Sequence, residues 1–274
     1  MATTAWVPGH VTGLFTVDRA DDPARTGSRG AGFTLADGVS VTVRPDRPRQ
    51  VVLDGEPADV AAVERVLETL DVRATVEATT ELPVGRGFGL SGAMALGTAL
   101  AANEAVGLGR SENELIRVAH AADVAAGTGL GDVVAQARGG MVLRMEAGAP
   151  PHGRLDGIPV GGRVELLALG ELSTPSILEE RPDRITAAGE RALERLQRTP
   201  TREAFVRASR DFTEAVGLAT DEVAEILESV TRNGDGAAMA MLGETVFGFG
   251  TPLSDAGYDP RVSAIDSCGP RRPE

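Results

Sequence analysis

The chain has 274 residues, a formal net charge of −13 and 42% hydrophobic residues, enough for one large domain or two lobes around a substantial core. The acidic balance excludes a nucleic-acid-binding face, which needs clustered positive charge, and the single Cys268 excludes an intramolecular disulfide or a cysteine metal cluster. Its apolar runs are too short to span a bilayer and no basic-then-apolar leader opens it, so a cytoplasmic protein is expected, with no membrane partner.

In chain order, Ala5–Val11 and Leu14–Val17 read as strands, with Pro8-Gly9-His10 in a turn. Gly32–Leu35 and Val39–Arg44 read as two strands joined by a hairpin at Asp37-Gly38. Val51–Leu53 is a further short strand. Asp59 is expected to cap a helix running to Leu70, because Val60, Val63, Val66, Leu67 and Leu70 recur at helical spacing. A strand over Val72–Glu77 then leads into Pro83–Ala95, PVGRGFGLSGAMA.

This glycine loop is the most informative segment. Gly85, Gly87 and Gly89 let the backbone turn tightly and approach a ligand. The apolar run from Met94 to Ala102 reads as a helix ending near Gly107. A helix starting behind such a loop aims unpaired N–H groups and a positive dipole end into it, which suits a phosphate. The loop is not a Walker-A motif, because the chain has no lysine: all 27 basic residues are arginine. Gly87 to Gly92 does match the dinucleotide pattern G-x-G-x-x-G. However, a polar, proline-containing segment precedes it and two helices follow it, which argues against a Rossmann unit.

Ser111 and Glu114 form a capping-box signature for a helix from Glu112 to Ala126. A second glycine loop, Gly127-Thr128-Gly129-Leu130-Gly131, leads to Asp132, then to Gly139-Gly140 and a strand at Met141–Met145. The proline- and glycine-rich stretch Gly148–Gly162 is the expected boundary between lobes at 1–150 and 151–274. Beyond it come a strand at Arg163–Leu169 and helices at Asp183–Gln197, Thr201–Val216 and Asp221–Asn233. A short helix at Ala237–Leu242 and strands at Thr245–Phe249 and Val262–Asp266 follow. The class is α+β. The 40 acids, the absence of lysine and the 3% aromatic content fit a surface adapted to high salt, where screening weakens acidic self-repulsion. Replacement of lysine codons in a GC-rich genome is the alternative.

Pro8-Gly9-His10, the loop Pro83–Ala93, and Gly129-Leu130-Gly131-Asp132 followed by Gly139-Gly140 stand in an order that resembles the GHMP kinase superfamily. These small-molecule kinases include galactokinase, homoserine kinase and mevalonate kinase. The resemblance covers most of the chain and implies a two-lobed fold. The N-terminal lobe would be like ribosomal protein S5 domain 2, and the C-terminal lobe ferredoxin-like. PGHVTGLF, Thr26–Gly32, TGLGDVVAQARGG and AMAMLGETVFGFG are similar to the archaeal pantoate-phosphorylating branch. That branch uses ATP and Mg2+ to convert (R)-pantoate to 4-phosphopantoate for coenzyme A. The alternatives are a kinase for another hydroxylated substrate of the mevalonate, homoserine or shikimate type, or a non-catalytic nucleotide-binding protein. The resemblance leaves a homodimer open.

The resemblance also implies roles. Asp132 is the catalytic carboxylate, which in this reading also begins a short helix. Pro83, Gly85, Arg86, Gly87, Gly89, Ser91, Gly92 and Ala93 bind the nucleotide. Ser91 and Asp123 offer hard oxygens to magnesium. Ser28, Arg29, His120 and Arg144 are candidates for the substrate, an arginine being the natural partner for its carboxylate. Three departures stand out. The first of the superfamily's paired serines is Leu90, the basic residue of the first motif is absent with His10 nearby, and the C-terminal glycine motif is reduced to Gly234-Asp235-Gly236-Ala237-Ala238.

Overall fold

The computed structural model describes residues 1–170, 182–232, 236–241 and 243–273. The N-terminal half builds a seven-stranded sheet. Its strands are β1 (Thr3–Phe15), β2 (Gly30–Arg44), β3 (Gln50–Leu53), β4 (Glu56–Pro57), β5 (Thr75–Thr80), β6 (Met141–Glu146) and β7 (Arg154–Ile158). The order is β4-β3-β5-β2-β6-β7, with β1 along the other edge of β2. Strand β2 is shared: Gly30–Phe33 pairs with β6 and Val39–Arg44 with β5, while β1 pairs along both parts.

That sharing overturns two expected turns. Pro8-Gly9-His10 lies inside β1, where the register slips between Pro8 and His10 instead of reversing the chain. Asp37-Gly38 does not form a hairpin either. Pro8 pairs with Gly38 and Val7 with Val39, so β1 holds this stretch extended, and Arg261 pairs with Asp37 at 2.8 Å. A continuous partner strand outweighs the local turn preference of Asp-Gly.

Helices α1 (Ala61–Thr69), α2 (Leu90–Val106), α3 (Glu112–Ala125) and α4 (Asp132–Arg138) follow, with α2 packed on β1 and β2. The cap of α1 falls at Val60, not Asp59, and no side chain caps it. Strand β5 starts at Thr75, later than the expected Val72, because Asp71 takes a positive φ of 53° and delays the chain's return to the sheet. The Ser111 capping box forms as expected, with Ser111 N donating to Glu114 Oε2 at 3.0 Å.

Strand β7 lies within the proline- and glycine-rich stretch and joins the first sheet through β6. The second sheet opens with β8 (Arg163–Gly170) and adds β9 (Ala237–Ala240), β10 (Glu244–Phe249) and β11 (Arg261–Ala264) in the order β11-β8-β10-β9. Helices α5 (Pro182–Arg198), α6 (Arg202–Val216), α7 (Asp221–Arg232) and α8 (Pro252–Asp255) complete the fold. The expected helix at Ala237–Leu242 is strand β9, because β10 supplies a hydrogen-bonding edge from Thr245 to Gly248 and all four β9 residues are buried. Leu242, and Asn233 to Asp235 with the first two residues of the glycine cluster, Gly234 and Asp235, lie outside the described residues.

The two sheets share one core. Phe33 of β2, Phe205 of α6 and Phe247 of β10 pack with centroid separations of 5.2 to 6.1 Å, distances at which aromatic pairs attract beyond simple burial. The C-terminal tail returns to the first lobe. Gly140 N donates to Asp266 O at 2.7 Å, and the Arg271 guanidinium lies 3.7 Å from the Trp6 ring centroid. Among the described residues no helix is long and apolar enough to cross a membrane.

Candidate active site

The loop between β5 and α2 carries positive φ at Gly85, Gly87 and Gly89. Gly89 is the N-cap of α2 with φ 62°, and a Cβ there would come within 3.1 Å of the Asp132 carboxylate. Both its conformation and its close approach to the second glycine loop therefore require glycine. Thr245 Oγ1 donates to Arg86 O at 2.7 Å, and Phe88 O accepts from His10 N at 2.9 Å, so the loop is held from both lobes. Ala93 N is used by Gly89 O at 3.0 Å and its methyl is buried. Leu90, Ser91 and Gly92, the first three residues of α2, carry the helix's free N–H groups. They line a cavity of about 240 Å³ together with Val84, Thr12, Thr128, Met241 and Asp132. Pro83 is exposed at its approach, and Arg86 is half-buried outside the lining.

Asp132 begins α4 at the edge of this cavity. Its side chain is 17% exposed, while that of His10 is fully buried. His10 Nδ1–H donates to Asp132 Oδ1 at 2.7 Å. Burial alone would raise the Asp132 carboxyl, but the His10 hydrogen bond and the nearby charge of Arg144 bring it below the ordinary value. Burial lowers His10 below its usual value, against the pull of Asp132, so the imidazole is neutral and the carboxylate ionised. His10 Nε2 is buried without a partner among the described residues.

Behind Asp132, Arg144 of β6 is 2% exposed. Its Nε donates to Ser28 Oγ at 3.2 Å, and Ser28 Oγ donates to Leu130 O at 3.3 Å. A Cβ on Gly131 would stand 2.7 Å from both Arg144 Nε and Ser28 Oγ. Only glycine therefore lets the aspartate loop lie against this pair. Arg144 Nη1 is buried with no partner among the described residues. A cation in that state is costly until an anion reaches it.

Asp123 of α3 is 2% exposed. It accepts from Ser91 Oγ at 2.9 Å and from Thr128 Oγ1 at 2.6 Å. Burial pushes its carboxyl up to about 6, against those hydrogen bonds. Asp123, Ser91 and Thr128 form an all-oxygen cluster at the start of α2, a donor set that fits magnesium.

Two substrate candidates sit differently from the rest. His120 is buried and its Nε2–H donates to Thr26 O at 2.8 Å, so it holds the backbone two residues before Ser28. Burial lowers its pKa. Arg29 points to the second lobe, pairing with Glu190 at 2.8 Å and Asp18 at 3.4 Å. The structure thus brings Ser28, Arg144, Asp132, Ser91 and Asp123 around the two glycine loops and leaves Arg29 in a peripheral ion pair. Roles for His10 against Asp132, and for Thr128, were not read from the sequence. The GTGLGD spacing signals Thr128, but nothing local signals a contact between His10 and a residue 122 positions away.

A GHMP kinase N-terminal domain matches residues 59–140. The chain is 31% identical to a pantoate kinase of Methanocaldococcus jannaschii over 88% of this chain and 90% of that one. It is 34% identical to a pantoate kinase of Thermococcus kodakarensis over 90% of this chain and 87% of that one. Among solved structures it is similar to a phosphotransferase related to the coenzyme A biosynthesis pathway, with TM-score 0.87 and 30% identity, covering 99% of this chain and 98% of that one. A homoserine kinase from Cytophaga hutchinsonii shares the fold, with TM-score 0.71 and 20% identity, covering 98% of this chain and 96% of that one.

Proposed function

The chain belongs to the pantoate kinases of the GHMP kinase family, and from that premise we propose how its own residues divide the transfer of a phosphoryl group from ATP to pantoate. In this reading the lobe 1–150 carries both glycine loops, and the lobe 151–274 closes the cavity through Met241. The N–H groups of Leu90, Ser91 and Gly92 bind the phosphates, aided by the helix dipole. Ser91 and Asp123 would hold magnesium, which when bound would supply neutralisation of charge on the transferred phosphoryl group.

The observation that carries the catalytic assignment is the His10–Asp132 pair at the cavity edge. A kinase of this type meets little covalent work; it positions the reactants and accepts a proton late, as the new P–O bond forms. An ionised Asp132 accepts the hydrogen bond of the pantoate primary hydroxyl, orients its oxygen towards the γ-phosphorus, and takes its proton as the hydroxyl becomes acidic. His10, neutral and fixed by β1, keeps one carboxylate oxygen occupied so that the other faces the cavity. Arg144, with its unpartnered Nη1, is the match for the pantoate carboxylate. Ser28 orients that guanidinium and His120 supports the Ser28 turn.

The direct test is ADP release from Mg-ATP with pantoate, mevalonate, homoserine and shikimate offered in parallel. Turnover on pantoate alone is the expected result, and turnover on another of the four with none on pantoate would overturn the substrate. Arg144→Met is expected to raise KM for pantoate by about 10²-fold, the scale of a charge-assisted hydrogen-bonded pair, with KM for ATP little changed. Pantoate kinetics equal to wild type would remove Arg144 from the substrate site. The net charge of −13 also supports adaptation to high salt. The melting midpoint is then expected to climb steadily in KCl from about 0.1 M to about 2 M, as the Debye length contracts. A midpoint that is flat or falls with salt would count against it.

A further inference from the structure

We propose that Gln136 is a positioning residue for phosphoryl transfer. It ties the phosphate-loop helix to the helix that carries Asp132, and it offers a free carbonyl oxygen to a donor arriving with the magnesium nucleotide.

Gln136 is 0% exposed and lies one turn beyond Asp132 on α4. Its Nε2 donates to Gly89 O at 2.9 Å. Gly89 is the N-cap of α2, and the Cβ position of this same residue stands 3.1 Å from Asp132 Oδ1. One side chain therefore sets the distance between the helix N-terminus that receives the phosphates and the carboxylate that receives the hydroxyl proton. In-line transfer depends on that distance, since small misplacements of reacting groups are costly.

The other end of the amide points to a second role. Gln136 Oε1 is buried and has no partner among the described residues. An unmade hydrogen bond of this kind costs about 1 to 3 kcal/mol, so an orphaned amide oxygen in a closed core calls for a cause. Oε1 lies 3.2 Å from the Cβ position of Gly92, and that same point is 3.3 Å from Asp123 Oδ2. The free oxygen and Asp123 Oδ2 therefore both border Gly92 of α2, beside the cluster where hydrated magnesium would bring O–H donors. This rests on the reading of that cluster as the cation site.

The test compares Gln136→Leu and Gln136→Glu with wild type, using Mg-ADP binding by calorimetry together with steady-state kinetics. For Gln136→Leu we expect Mg-ADP affinity to fall and KM for Mg-ATP to rise by about tenfold or more, one lost hydrogen bond being near tenfold, with KM for pantoate unchanged. In Gln136→Glu a protonated carboxyl still donates to Gly89 O, whereas a carboxylate repels it. The ratio of its Mg-ADP affinity to that of wild type should therefore fall as pH rises, while the ratio for Gln136→Leu stays level. The titratable groups reached through these contacts are Asp123 on α3, Asp132 on α4 and His10 on β1. They cancel in the ratio for Gln136→Leu, which adds no charge, and couple to the added carboxyl in Gln136→Glu.

Wild-type Mg-ADP binding by Gln136→Leu, equal rises in KM for both substrates, or a Gln136→Glu ratio independent of pH would each overturn the proposal. If Gln136→Leu does not fold, the pH profile of Gln136→Glu decides. Loss of Mg-ADP binding in Gln136→Leu, alongside a wild type inactive on pantoate, would sink the substrate reading and leave this one standing. The opposite pattern would sink this one alone.

Discussion

Asp132→Asn is expected to lower kcat for pantoate phosphorylation by about 10²- to 10⁴-fold, the range that a positioned general base supplies, without unfolding the protein. Asparagine has nearly the same shape, and its Oδ1 still accepts the hydrogen bond that His10 Nδ1 gives the aspartate at 2.7 Å. What it lacks is the negative charge that His10 and Arg144 stabilise in the native side chain. Nucleotide binding rests on the N–H groups of α2, so KM for ATP should change little, and KM for pantoate should rise by no more than one charge-assisted hydrogen bond, about tenfold. Measuring kcat and KM alongside a thermal melt checks each part. A variant within threefold of wild-type kcat would leave Asp132 as no more than the first residue of α4.

Asp123→Asn is expected to do two opposite things: abolish turnover and make the ligand-free protein more stable at neutral pH. Burial holds the Asp123 carboxyl at about 6 in the folded chain, above the ordinary value of 3.8. Between those values the unfolded chain has lost the proton that the folded chain keeps. Stability therefore falls as pH rises from about 4 and levels off above about 7, a total cost of about 3 kcal/mol. Asparagine carries no charge to desolvate, and its carbonyl oxygen can still accept from Ser91 and Thr128, the partners of Asp123 at 2.9 and 2.6 Å. Its gain over wild type should accordingly be small near pH 4 and approach about 3 kcal/mol near pH 8. Denaturant unfolding at those two pH values measures it, and a stability difference independent of pH would sink the argument. The loss of activity follows from removing the anionic oxygen proposed for the cation. The price of function is then visible as stability withheld from the empty site.

Much of the site is legible in the residues themselves, because the relevant physics is local. Alternating glycines ahead of a small, apolar helix specify the phosphate-type loop, and α2 starts there. Ser111 and Glu114 cap α3 through contacts three residues apart. The spacing of Gly129, Asp132 and Gly139-Gly140 sets the second loop, helix α4 and strand β6 in order. Asp123 and Ser91, paired through the family resemblance, do meet.

Other features depended on partners that lie far away along the chain. Whether Asp37-Gly38 turns or stays extended depends on β1 pairing across it. Whether Ala237–Ala240 is helix or strand depends on β10 offering an edge. Arg29 and Arg144 are the same residue type, yet one finds Glu190 at 2.8 Å and the other is sealed in with an Nη1 that has no partner among the described residues. The His10–Asp132 pair and the grip of Gln136 on Gly89 span 122 and 47 positions. By itself the sequence determined the loops, the chemistry they carry and the family to which they belong, since backbone freedom, capping and charge act within a few residues. The tertiary structure alone decided which carboxylate meets His10, which arginine is buried and which strand pairs with which, because burial and long-range pairing exist only once the chain has closed on itself.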